Sequence, residues 1–190
     1  MFNLTNSRNS LTHTVSTWLN LLALLAICGS LLAAFYYQIV LNELPCPLCQ
    51  LQRVALTLAG IGMLQNIRFG ASNIHYAMIL ASALVGAATS MRQVLLHIAP
   101  GDPGYGSALF GLHFYTWGFI SFVVIIAFCA LMLCIDRHPA KPTSRSTSGI
   151  IANAVIILFL ILAAANTVSS VMVCQFGSCP DNPTQYLWKF

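Results

Sequence analysis

Four of the seven cysteines are spaced for thiol chemistry. Cys46 and Cys49 form a C-x-x-C within Leu44-Pro45-Cys46-Pro47-Leu48-Cys49, and Cys174 and Cys179 form a C-x4-C near the C-terminal end. A proline suits the first turn of a helix, so the first pair is expected at a helix N-terminus. Free amides and the positive end of the helix dipole favour a thiolate there, and the thiolate is the attacking species in disulfide exchange. Arg53 follows Cys49 by four residues, one helical turn on and on the same face. A cation at that place favours the Cys49 thiolate. It can also donate hydrogen bonds to a carbonyl or a developing oxyanion on a bound molecule.

The same four cysteines admit plainer readings. Two pairs of these spacings fall within the range of a structural zinc site, and either pair could be a static bridge. The position of Cys46 and Cys49 beside an apolar span, with Arg53 one turn away, favours redox chemistry and no metal. The other three cysteines, Cys28, Cys129 and Cys134, lie within apolar stretches and read as small buried hydrophobes. Arg53 near a membrane surface could simply reach up to the headgroups. Ionisable residues inside spans are nevertheless functional candidates, which brings in Arg92 and, at the end of the same stretch, His97. His113 is a weaker candidate of the same kind.

The elements that must carry these residues follow from composition. The 190-residue chain is 58% hydrophobic and 6% charged, against about 25% charged in soluble domains. Such a chain cannot clothe itself in polar surface, so its solvent is lipid. Five stretches approach the roughly 20 apolar residues a spanning helix needs: 17–41, 48–67, 75–98, 114–135 and 150–173. The expected fold is an all-α membrane protein, a four-helix transmembrane bundle plus a fifth transmembrane helix, in a single domain. Residues 136–149, rich in Pro, Ser, Thr and cations, read as a polar linker, and 174–190 form a tail after the last span.

Cytoplasmic loops carry excess Lys and Arg. An N-terminus on the inside puts Arg8, Arg68, Arg137, Lys141 and Arg145 on the cytoplasmic face and leaves Lys189 outside, with Arg53 and Arg92 within spans. Both cysteine pairs then lie on the outer side, in the oxidising compartment where disulfides persist. The first apolar stretch is too long for the core of a signal peptide, and no clear small-x-small site precedes Leu41, so it is read as a retained span. No basic run exists to track phosphates, which argues against nucleic acid.

The run Cys46-Pro47-Leu48-Cys49-Gln50-Leu51-Gln52-Arg53 at the opening of a second span resembles the disulfide bond formation protein B (DsbB) family. So do Arg92-Gln93-Val94-Leu95-Leu96-His97 and Gly111-Leu112-His113-Phe114-Tyr115-Thr116-Trp117, and the tail Cys174–Pro183 is similar to a branch of that family. The resemblance implies a four-helix bundle in the bacterial inner membrane that reoxidises a soluble, periplasmic thioredoxin-like (DsbA-like) protein and passes two electrons to a membrane quinone, ubiquinone or menaquinone. It implies that Cys46 and Cys49 are the quinone-side pair, with Cys49 against the quinone, Arg53 beside it and His97 lining the site. Arg92 is added from its place in the same stretch.

The family's usual pattern puts the second cysteine pair between the third and fourth spans, whereas residues 99–113 here contain none. Cys174 and Cys179 are expected to serve instead, hung over Cys46 and Cys49 by the fifth helix, with Tyr186, Trp188 and Phe190 anchoring the tail at the interface. The rival readings are an outward flow of electrons, a relative of the quinone-reducing enzymes acting on vitamin K, and a non-catalytic membrane subunit whose disulfides staple its outer loops.

Overall fold

The computed structural model describes residues 2–136, 149–175, 177, 179, 180, 183 and 185–187, with side chains from residue 14 onward. Arg137, Lys141, Arg145, Trp188, Lys189 and Phe190, and the side chain of Arg8, lie outside the described residues, as does most of the expected linker.

Five long helices follow one another: α1 (Phe2–Val40), α2 (Pro47–Phe69), α3 (Asn73–Leu96), α4 (Phe114–Ile135) and α5 (Ile150–Cys174). Within α1, Thr14–Val40 is long and apolar enough to cross a membrane, and so are α3, α4 and α5. The expectation of five spans thus holds for four. The exception is α2, which has the length but carries Gln50, Gln52, Arg53, Gln65, Asn66 and Arg68. Its position explains its composition. It packs against α1, α3 and α5, and Gln50, Gln52, Arg53 and Asn66 are all buried. Those polar side chains turn toward the neighbouring helices, while Leu51, Val54 and Leu58 on another face of α2 are exposed, so the polar groups lie inward and an apolar stripe is left outward.

Close approach between helices depends on small residues, as is usual where lipid weakens the hydrophobic drive between them. A Cβ at Gly86 of α3 would lie 2.2 Å from the Phe122 ring of α4, and one at Gly60 of α2 would lie 2.4 Å from the Phe159 ring of α5. Phe122 and Phe159 are fully buried in the core, with Leu24, Leu31, Met63, Ile79 and Met132.

The turns are written in backbone chemistry. After α1 the amides of Leu41 and Glu43 both return to the Tyr37 carbonyl, and Asn42 adopts φ 55°, a left-handed conformation that Asn tolerates better than most residues. The chain is thereby directed through Leu44 and Pro45 to Cys46. Within 99–113, sequence reading leaves only a loop, but a short hairpin forms: β1 (Ala108–Leu109) pairs antiparallel with β2 (Leu112–His113). Phe110 and Gly111 at its tip both have positive φ, as a two-residue type I′ turn demands.

The far end of the bundle is held by a chain of buried polar contacts. Tyr76 Oη and Ser16 Oγ both donate to Asp136 Oδ2 at 2.7 Å. Asn20 Nδ2 donates to Tyr76 Oη at 3.1 Å, and Asn66 Nδ2 donates to Asn20 Oδ1 at 3.1 Å. Helices α1, α2 and α3 and the end of α4 are joined in this way.

Candidate functional site

Cys46 caps α2. Its φ and ψ are extended, Pro47 occupies the first turn, and the Cys49 amide donates to Cys46 Sγ at 3.2 Å. The expected helix N-terminus is therefore formed, with the two sulfurs facing one another across its first turn. Cys46 is 5% exposed while Cys49 is partly exposed. Both are free thiols. Cys46 holds its proton above the usual thiol range, first because its side chain is hydrogen-bonded to that of Cys49, then because it is buried. The Cys49 amide opposes this with a smaller effect.

Gln93 of α3 completes the pair. Its Nε2 lies 3.4 Å from Cys46 Sγ and 3.5 Å from Cys49 Sγ, and its Oε1 accepts from Gln52 Nε2 at 2.9 Å. Sequence reading passed over Gln93. The available signal was a lone amide in an apolar stretch, one residue after Arg92.

Arg53 stands one turn below Cys49 and is 8% exposed. Its Nη1 donates to Gln38 Oε1 at 2.5 Å and its Nη2 to the Ala34 carbonyl at 3.1 Å. The guanidinium lies 5.5 Å from the Phe35 ring centroid. Among the described residues no carboxylate pairs with it.

A cavity of about 450 Å³ opens beside these groups, within the range of small-molecule sites. Cys49, Arg53 and Gln93 reach its wall, together with Glu43, Tyr105 and Tyr115. Much of the remaining lining is apolar or small, from Gly29, Ala33 and Ala34 on α1 to Trp117, Gly118 and Phe122 on α4. Its outer rim is fixed by loop contacts. Glu43 accepts from the Ser107 amide at 3.1 Å and from the Ser107 hydroxyl, and Tyr105 Oη donates to the Leu44 carbonyl at 2.7 Å. Burial first of all pushes the Tyr105 phenol up, so it remains a donor. Trp117 Nε1 donates to the Leu109 carbonyl at 3.0 Å, tying the hairpin to α4.

Of the other expected site residues, His97 is one ring removed from the cavity. It stacks on Tyr115 at 5.6 Å, His113 stacks on Tyr115 at 5.2 Å, and Tyr115 alone of the three reaches the wall. His97 Nδ1 is 3.1 Å from Asp102 Oδ1. The Gly104 amide, and next His97, hold the Asp102 carboxyl below its usual range. Arg92 is exposed and does not reach the cavity. On a helix its direction differs from that of the adjacent Gln93 by about 100°, and it is Gln93 that turns inward.

Cys174 and Cys179 are joined in a disulfide at the end of α5. Cys174 is buried with Val173 against Leu44, and Cys179 and Tyr186 pack around them. Leu44 is two residues from Cys46. One turn earlier on α5, Ser170 Oγ donates to Gln50 Oε1 at 2.9 Å. The two cysteine pairs therefore sit at the same end of the bundle, joined through Leu44 and Gln50. Among the described residues no three His, Cys, Asp or Glu side chains gather as metal ligands would.

Comparison with known proteins agrees with the first half of this arrangement. Residues 16–106 match the family model described as Disulfide bond formation protein DsbB, so this half carries that family's sequence pattern and the resemblance seen in the motifs holds there. Three relatives are each named Disulfide bond formation protein B. That of Hahella chejuensis is 37% identical over 94 residues, 46% of this chain and 57% of the relative. That of Pseudomonas syringae pv. tomato is 43% identical over 81 residues, 40% and 47% respectively. That of Burkholderia pseudomallei is 38% identical over 101 residues, 49% and 58% respectively. The chain thus spans about half the length of the curated relatives it matches. No solved structure matches it significantly. The family match includes Cys46, Cys49, Arg53, Gln93 and His97 and ends before the hairpin, α4, α5 and the tail disulfide.

Proposed function

We propose that this chain is a membrane thiol–disulfide oxidoreductase of the bacterial inner membrane, which reoxidises a soluble thioredoxin-like (DsbA-like) dithiol protein and delivers the electrons to a membrane quinone. The observation that carries it is the meeting of Cys49 and Arg53 on the wall of one largely apolar cavity. Support also comes from the second, oxidised cysteine pair at the same end of the bundle. In this reading α2 crosses the bilayer inside the bundle, the N-terminus is cytoplasmic and both cysteine pairs face the periplasm.

The cavity fits a quinone ring. Its volume is that of a small-molecule site, its walls suit an apolar ring and tail, and Arg53 is the donor for a ring oxygen. When bound, the quinone supplies an acceptor for two electrons and two protons.

The protein's own groups divide the work. Cys179 is the more exposed of the tail sulfurs and Cys174 the buried one. A partner thiolate attacks Cys179 Sγ, the Cys174–Cys179 bond breaks, and Cys174 leaves as the thiolate. The partner's second thiolate then attacks its own mixed-disulfide sulfur, which releases the partner oxidised and leaves Cys174 and Cys179 as a dithiol. That dithiol reduces an oxidised Cys46–Cys49 pair by the same exchange. Two electrons and two protons leave Cys46 and Cys49 as their disulfide re-forms. Cys46 retains its proton until that step, Cys49 is the thiolate facing the cavity, and Gln93 donates to both sulfurs. Arg53 is a buried cation with no carboxylate beside it among the described residues, so it is placed to offset negative charge arising in the cavity.

The test is quinone reduction by the purified protein with a reduced thioredoxin-like partner. Turnover that stops in Cys49→Ser and weakens in Arg53→Ala supports the reading. An unaltered protein that reduces no quinone with any such partner contradicts it and leaves the stapled subunit in its place.

A further inference from the structure

Gln38 spends every polar atom of its side chain on two different tasks. Its Oε1 accepts from Arg53 Nη1 at 2.5 Å, while its Nε2 donates to Ser169 Oγ at 2.7 Å and to Tyr186 Oη at 3.0 Å. It is 3% exposed. We propose that Gln38 is a positioning residue for Arg53, and that Tyr186 of the C-terminal tail fixes the orientation in which Arg53 meets the quinone. This rests on the function proposed above and goes beyond it by giving the tail a part in the quinone site.

A guanidinium has only donors, so the amide oxygen of Gln38 must face it. The amide nitrogen must then face two groups able to accept. Ser169 on α5 and Tyr186 on the tail are those groups. If Tyr186 Oη is removed, one buried N–H loses its acceptor and the amide loses part of the reason for its orientation. Arg53 Nη1 depends on that orientation for its own acceptor. Its other nitrogen is held one turn earlier on α1 by the Ala34 carbonyl. The guanidinium fork thus spans Ala34 and Gln38, and rotation of either support turns its plane.

An amide suits this task where a carboxylate would not. A glutamate at 38 would pair with Arg53 and offset the charge that the cavity needs. It would also present oxygen to Ser169 and Tyr186, so both hydroxyls would have to reverse from acceptor to donor. Tyr186 itself packs with Leu44, Val173, Cys174 and Cys179. The residue that supports Gln38 therefore lies on the same small cluster as the tail disulfide.

The experiment measures the steady-state KM and kcat for a short-chain ubiquinone in the purified full-length protein, with a reduced thioredoxin-like partner held at saturation. Tyr186→Phe keeps the ring and removes the acceptor. It is expected to raise the KM for quinone about fivefold, the factor a net hydrogen bond contributes, with the larger part of the change in KM rather than kcat. Gln38→Glu is expected to raise it further. In an Arg53→Ala background, Tyr186→Phe is expected to have no additional effect, since what it positions is gone. Merely structural packing of the tail would persist in that background. The inference is overturned if Tyr186→Phe leaves the KM unchanged, or if its effect survives in full without Arg53. Absence of quinone reduction in the unaltered protein would instead overturn the function on which the inference stands, and the inference with it.

Discussion

Gln93 Nε2 stands within 3.5 Å of both Cys46 Sγ and Cys49 Sγ, a neutral donor shared between two sulfurs of which one is charged in the proposed mechanism. Hydrogen bonds to charged groups contribute about 1.5–3 kcal/mol. Gln93→Leu is therefore expected to lower quinone-linked turnover by roughly tenfold or more, measured at saturating partner. Retention of full turnover would remove Gln93 from the site. The tail sulfurs offer a second check at this scale. With an oxidised partner, Cys174→Ser is expected to accumulate a mixed disulfide on Cys179, because the less buried of the two cysteines remains and its resolving thiol is absent. Mass spectrometry of the cross-linked peptide identifies the sulfur, and equal trapping on Cys174 in Cys179→Ser would contradict the assigned order of attack. Cys46, Cys49 and Arg53 were legible in the sequence because motif and helical spacing place them relative to one another. Gln93 and Gln38 were not, since each is a single amide whose meaning depends on what another helix brings to it. Arg92 illustrates the converse: a charge in an apolar stretch drew the expectation, while the neighbouring amide is the residue that turns inward.

Helix α2 carries the site because its polar face is turned inward. Gln50, Gln52, Arg53 and Asn66 are buried where α2 packs on α1, α3 and α5, and the small residues on the helices let their neighbours approach. A Cβ at Gly86 would meet the Phe122 ring at 2.2 Å, and Phe122 lines the cavity. Gly86→Val is expected to cost about 1–3 kcal/mol by overpacking and to lower the thermal midpoint of the purified protein. An unchanged midpoint would show that α3 and α4 part freely there. The four strongly apolar helices were legible from length and hydropathy, and the start of α4 at Phe114 agrees with the expected boundary. The hairpin Ala108–His113 was not, because two-residue strands have no period to read. Its strongest local signal is Gly111, whose partner in the turn is a Phe at positive φ.

The described residues hold two polar centres in an apolar body, one at each end. Arg53 and Asn66 are 13 positions apart on α2, or about 20 Å. The far centre, built on Ser16, Asn20, Asn66, Tyr76 and Asp136, ties four helices together and touches none of the site residues. Tyr76→Phe is expected to lower stability by about 1–3 kcal/mol, since Asp136 loses a donor and Asn20 an acceptor, while turnover below the thermal midpoint persists. Stability effects of Tyr76→Phe and Gln93→Leu should add, as those of separated sites do. A strong non-additivity would mean that the two ends are mechanically coupled.

The most direct test of the central claim is quinone reduction driven by a reduced thioredoxin-like partner, compared across the unaltered protein, Cys49→Ser, Cys174→Ser and Arg53→Ala. The account predicts turnover in the unaltered protein, none in either cysteine variant, and weakened quinone use in Arg53→Ala. Full activity in Cys174→Ser would contradict the relay, making the tail disulfide a staple and leaving Cys46 and Cys49 to meet the partner directly.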